Sequence, residues 1–150
     1  MHGRFVRNDD EKIVYDYARG LAWTDTPTYG SGAYFQATRG CNNLVYGGYD
    51  DWMLPSLANL QSIIDPSRPN PPYIYSVFKG IDAKGFWADN WNYNLGTSTV
   101  VSFITGRTLE VNIYSSMNYV CTRFFDRYST PSQTAMLNED TQESSRVIRE

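Results

Sequence analysis

Positive charge is scarce in this chain. Lys12, Lys79 and Lys84 are its only lysines, Lys and Arg never form a run, and the formal net charge is -3. A general polyanion binder needs a basic stripe to displace counterions, so nucleic acid and acidic membrane surfaces are excluded as partners on charge. No apolar stretch approaches the roughly 20 residues that span a bilayer, so membrane insertion is not expected. The only histidine is His2 and the only cysteines are Cys41 and Cys121. That leaves no metal-ligand set and no imidazole base inside the domain. No serine sits in a G-x-S-x-G elbow. The chain therefore reads as non-catalytic, with no cofactor and no metal. Asp82, Asp89 and Glu110 are the carboxylates that tertiary structure would have to bring together for glycoside hydrolysis.

What is present is aromatic surface. Twelve Tyr and four Trp stand in 150 residues, and both types bury a large ring while keeping a polar tip. Hydrophobic residues at 41% against 19% charged predict a folded globule. The length suits one domain, placed at residues 4–125, followed by a polar tail or linker at 126–150. Met1-His2-Gly3 reads as the start of a domain cut from a longer precursor, with any export signal upstream.

Irregular apolar-polar alternation from Arg4 to Trp23 predicts strands, with turns at Asn8-Asp9-Asp10 and Arg19-Gly20. Thr24 to Gly32 reads as a loop. A helix follows, capped by Ser31, with Ala33, Ala37, Cys41 and Leu44 on one face and a small cost at Gly40. Gly47-Gly48 is expected to end it. Tyr49 to Pro55 reads as an extended link into a second helix, which Ser56 caps. Leu57, Leu60, Ile63 and Ile64 form its buried face, and Asp65-Pro66 stops it. Three prolines stiffen the loop from Ser67 to Tyr73. Phe86-Trp87 opens a strand, Thr99–Ile104 and Thr108–Ile113 form a hairpin about Thr105-Gly106-Arg107, and Asn118–Phe125 reads as one last strand.

The densest binding-type composition is the stretch WADNWNYNL. Trp87, Trp91 and Tyr93 offer aromatic faces, while Asp89, Asn90 and Asn92 offer groups that bond hydroxyls, as sugar sites require. Tyr114, with Asn118 and Tyr119, joins this candidate ligand face if the last strands lie beside it. A core strand running into an Asn-rich turn explains the same residues. Asp50, Asp51, Trp52 and Pro55 are read chiefly as structural, with short carboxylates accepting backbone N–H bonds and Trp52 filling the core between helices. Asn8, Asp9, Asp10 and Glu11 read as a solvated turn rather than a calcium loop, which needs six to eight converging oxygens. On spacing alone, Cys41 and Cys121 fit either two buried thiols or a disulfide.

Several landmarks together resemble a known family. Gly47-Gly48-Tyr49-Asp50-Asp51-Trp52-Met53-Leu54-Pro55-Ser56, with Leu60 and Ile63-Ile64-Asp65 behind it, is similar to that family's GGYDDWRLPT string and its following EL and I.D. Arg4-Phe5, Val14-Tyr15-Asp16 and Gly20-Leu21-Ala22-Trp23 resemble its opening; Cys41 its helix cysteine; Phe86-Trp87 its YW strand. Val100-Val101-Ser102-Phe103 with Gly106 resembles its V.F..G hairpin, and Tyr119-Val120-Cys121-Thr122-Arg123 its closing strand. The family is the bacterial C-terminal domain of the Legionella collagen-like adhesin.

The resemblance covers roughly residues 4–125 and implies an α+β, C-type-lectin-like fold: a small twisted antiparallel sheet, two helices and long loops. It implies a Cys41–Cys121 disulfide and hence an oxidising compartment, extracellular, cell-surface or periplasmic. It also implies adhesion, with a glycan or a host or cell-surface protein as partner; an assembly module, as a homo-oligomer or a subunit of a larger surface protein, is the alternative, and an enzyme of the formylglycine-generating or glycosidase kind is the third reading. Three departures stand out: Met53 for the usual Arg, Asn59 for the usual Glu, and Ala88-Asp89 for the usual Ser-Ser. The calcium-dependent lectins' EPN or QPD tripeptide is absent.

Overall fold

The computed structural model describes residues 3–26, 31–82 and 84–126. The tail beyond Asp126 and part of the 24–32 loop lie outside the described residues. Among the described residues two helices and two sheets make the architecture, an α+β arrangement as expected. The first sheet is an antiparallel meander of β1 (Phe5–Asn8), β2 (Ile13–Asp16) and β3 (Leu21–Thr24), completed by β9 (Thr122–Phe124). The second orders β4 (Ser31–Gly32), β8 (Met117–Asn118), β5 (Gly85–Trp87), β6 (Thr97–Ser102) and β7 (Arg107–Asn112). Between β4 and β5 run α1 (Tyr34–Asn42) and α2 (Leu57–Gln61).

The expectation of one sheet is thus corrected to two, and the reason lies in burial. Ile13, Tyr15, Ala22, Trp87 and Val100 pack into one apolar cluster, while Val14, Leu21, Trp23, Phe86, Ala88 and Val101 pack into another. Neighbours along β2, β3, β5 and β6 therefore point into different cores. A strand covered on both faces loses clean alternation, which is why Arg4 to Trp23 reads irregularly.

The last strand also differs from its expected form. Met117–Asn118 pairs in the second sheet and Thr122–Phe124 in the first, so the chain changes sheets between them. Val120 and Cys121 sit at the crossing, 1% and 0% exposed, each in a different core. Cys121 is bonded to Cys41 of α1, with Cα atoms 5.4 Å apart, within the range that a disulfide spans.

Local chemistry explains the remaining differences. Ser31 belongs to β4 rather than capping α1; Ala33 is the cap, and the Gln36 side chain accepts its N–H at 2.8 Å. Gly47 and Gly48 do not end the helix, which stops at Asn42. Instead their φ values of 64° and 85° build a tight turn whose flanks, Tyr46 and Tyr49, exchange backbone bonds. Positive φ at both central positions is the geometry of such turns. Gly40 lets the Tyr119 ring approach the helix backbone, since a Cβ there would stand 2.9 Å from Tyr119 Cζ. β6 ends at Ser102, two residues before the expected Ile104; Phe103 is buried, and its backbone bonds with Lys84 and Tyr73 instead of with β7. Met53 pairs through its backbone with Thr122, which ties the link before α2 to β9.

Two buried carboxylates fasten the meander. Asp16 accepts from Arg4 Nε and Nη2 at 3.1 and 2.9 Å and from the N–H groups of Ala18 and Arg19. Asp25 accepts from Arg7 Nε at 2.9 Å and from the N–H groups of Lys79 and Gly80 at 2.8 Å. Each buried charge is thus fully partnered, as burial demands.

Replacing both cysteines by alanine releases an 80-residue loop. The chain-entropy estimate for that length is a loss of about 4.5 kcal/mol. Urea midpoints of the Cys41→Ala/Cys121→Ala protein should fall accordingly; a loss under about 1 kcal/mol would contradict a structural role for the bond.

Candidate functional site

The candidate face is built where α1 begins. Trp87 at the end of β5 is fully buried, and its indole N–H donates to Gly32 O at 2.8 Å. Two residues later Tyr34 opens α1, its N–H donating to Ile113 O at 2.9 Å. The Tyr34 ring lies edge-on to Trp87, 5.7 Å between centroids. Its hydroxyl donates to Asp89 Oδ1. Burial, then that bond, then the Asp89 charge push the Tyr34 hydroxyl pKa well above its ordinary value; at neutral pH it stays protonated and can only donate to the carboxylate.

From this frame a strip of rings runs outward. Phe35 follows Tyr34 and stands 5.1 Å from Trp91 at 84°. Trp91 contacts Tyr93 at 5.5 Å and 74°, and Tyr34 at 6.4 Å. Phe35, Trp91 and Tyr93 are 38%, 45% and 79% exposed, and Leu95 beside them is 68% exposed. Edge-to-face contacts of this kind hold rings in fixed mutual orientation. Asp89 borders the strip, exposed, with its N–H held by Pro55 O at 2.7 Å.

The residues expected to share the ligand face are distributed by this geometry. Trp91, Tyr93 and Asp89 are exposed at the strip, whereas Trp87 is its buried footing. Asn90 turns toward the β6–β7 hairpin, where its amide donates to Thr99 Oγ1 at 2.8 Å and Thr99 in turn donates to Glu110. Asn92 shapes the turn, its Oδ1 accepting from Leu95 N–H at 3.1 Å. Tyr114 is exposed and follows Ile113, which is bonded to both Tyr34 and Gly96. The strip also contains a residue that the sequence reading omits, Phe35. The signal was available: with Tyr34, Ala37 and Cys41 at helical spacing as the buried face, Phe35 must point off that face.

Asp51, Trp52 and Pro55 do scaffold work. Asp51 pairs with Arg123 through Nε at 2.5 Å and Nη2 at 3.1 Å. The Arg123 guanidinium lies 3.7 Å over the Tyr49 ring, so the link before α2 carries an ion pair that does not use Met53. Trp52 is buried and donates to Tyr46 O at 3.1 Å; Asp50 is exposed. Ser56 accepts from Asn59 N–H, while the Asn59 side chain accepts from Arg19. In the 8–11 turn, Asp9 pairs with Arg7 and Asn8 Oδ1 accepts from Glu11 N–H. Among the described residues no group of three His, Cys, Asp or Glu is arranged to hold a metal.

A cleft of about 70 Å³ lined by Thr26, Asp82, Lys84, Phe86 and Asn118 lies apart from the strip. Small-molecule sites typically occupy 300–1,000 Å³, so the open strip is the better candidate. Residues 12–123 match the Lcl C-terminal domain. The chain belongs to that family. The matched span of this Lcl C-terminal domain includes both cysteines, α1, the Asp50–Pro55 link and every residue of the strip. No curated protein matches the chain.

The geometry separates two tryptophans four residues apart. Trp87→Ala should cost about 3–5 kcal/mol, whereas Trp91→Ala should cost about 1 kcal/mol or less. Urea denaturation reads both, and equal losses would contradict the assignment of one to the core and one to the surface.

Proposed function

We propose that this domain is an exported, non-catalytic binding module that recognises carbohydrate through the strip of Phe35, Trp91 and Tyr93, with Asp89 at its edge. The observation that carries the reading is a contiguous run of exposed rings anchored to a buried footing. Exposed apolar patches on soluble domains mark interaction sites. Aromatic faces beside a few polar groups suit sugar rings, which present apolar patches and hydroxyls together. The disulfide suits an oxidising, extracytoplasmic compartment, and an adhesive role at the cell surface fits the family. Two helices and a disulfide from the first helix to the residue that precedes the last strand fit a C-type-lectin-like scaffold. The carboxylates weighed for hydrolysis are engaged separately: Asp82 with Lys84, Asp89 with Tyr34, Glu110 with Thr97 and Thr99.

A second reading is assembly, in which the strip buries against another protomer or a surface protein. The combined exposure of Phe35, Trp91, Tyr93 and Leu95 favours it too, because aromatics are enriched in interface centres. Light scattering separates the two readings: a stable oligomer that shields Trp91 supports assembly.

On a glycan array the wild-type domain should bind, and Trp91→Ala should weaken that binding by about tenfold or more while leaving the fold intact. Absence of glycan binding, or binding indifferent to Trp91, would contradict the carbohydrate reading.

A further inference from the structure

The strip carries one fixed charge, and it is negative. Asp89 is the exposed carboxylate at its edge, and the backbone holds it in place through Pro55 O. Tyr34 donates to Oδ1, which orients the group; Oδ2 takes no hydrogen bond among the described residues. The ion pairs among the described residues use Asp9, Asp16, Asp25, Asp51 and Asp82, so Asp89 is not neutralised by any of them. A carboxylate accepts hydrogen bonds and cannot donate them. The faces of Trp91 and Tyr93 beside it add negative quadrupole, which also attracts cations. Arg39 is the positive charge on α1, one helical turn beyond Phe35. Among the described residues no ion pair fixes it to the strip.

Resting on the carbohydrate reading, we infer that Asp89 selects the ligand by charge. The strip takes sugars whose groups at its edge donate hydrogen bonds, and favours amino sugars with a free ammonium over neutral and anionic counterparts. Tyr34 is the positioning residue: protonated at neutral pH, it holds one carboxylate oxygen and leaves the other directed to the ligand. The aromatic rings bind any sugar of suitable shape; the carboxylate ranks them.

One skeleton tests this with three charges. The probes are a glucosamine hexamer with free amines, its N-acetylated form and its N-sulfated form. Binding is measured by calorimetry at mildly acidic pH and low salt, where the amines are protonated and carboxylates ionised. The free-amine hexamer should bind about fivefold or more tighter than the acetylated one, and the sulfated one weakest. Added salt should narrow the gap. Asp89→Asn keeps an acceptor for Tyr34 and should reduce the preference to about twofold or less while N-acetylated binding persists. Tightest binding of the sulfated hexamer, lost in Arg39→Ala, would overturn the inference in favour of the arginine. Equal binding of all three would overturn the charge selection and leave carbohydrate recognition standing. Absence of binding to these and to every other glycan would remove both.

Discussion

The structure depends on the pinning of α1 at both ends. Its C-terminal half is fixed covalently, Cys41 to Cys121, at the point where the chain passes from one sheet to the other. Its first residue is fixed three ways: Tyr34 donates its N–H to Ile113, donates its hydroxyl to Asp89, and lays its ring on Trp87. A nine-residue helix is too short to be stable alone, so these attachments decide where it lies. That position brings Phe35 to Trp91, although 56 positions separate them in the sequence.

The same attachments unite the two sheets. β9 closes the meander while β8 lies in the second sheet, and only Tyr119, Val120 and Cys121 stand between them. The Asp50–Pro55 link is held against this junction as well. Met53 pairs with Thr122, Asp51 grips Arg123, and Pro55 carries Asp89. The Asp50–Pro55 link thus supports the strip through Asp89 without contributing a ring to it.

Legibility in the sequence followed locality. The Asn8–Asp10 turn, the Ser56 cap and the β6–β7 hairpin were readable because each is set by residues close together. The division of the terminal segment between two sheets was not, because Asn118 to Phe125 is uniformly β-forming and only tertiary partners decide where its pairing changes. Gly47-Gly48 reads as a helix cap in the sequence because positive φ serves caps and tight turns equally. In the candidate site, the composition of residues 87–95 was visible, but its division into footing, strip and turn was not. Trp87 and Trp91 look alike in sequence; β5 buries one and the following turn exposes the other. Asn90 and Asn92 looked like ligand groups, and their amides bond within the fold.

The account is tested most directly by the proximity of Phe35 to Trp91 in solution, read from nuclear Overhauser contacts between their ring protons. Centroids 5.1 Å apart require strong cross-peaks in the oxidised domain, and these should weaken or vanish when the disulfide is reduced. Missing cross-peaks in the oxidised protein, or cross-peaks unchanged on reduction, would contradict the claim that a doubly pinned helix builds the face.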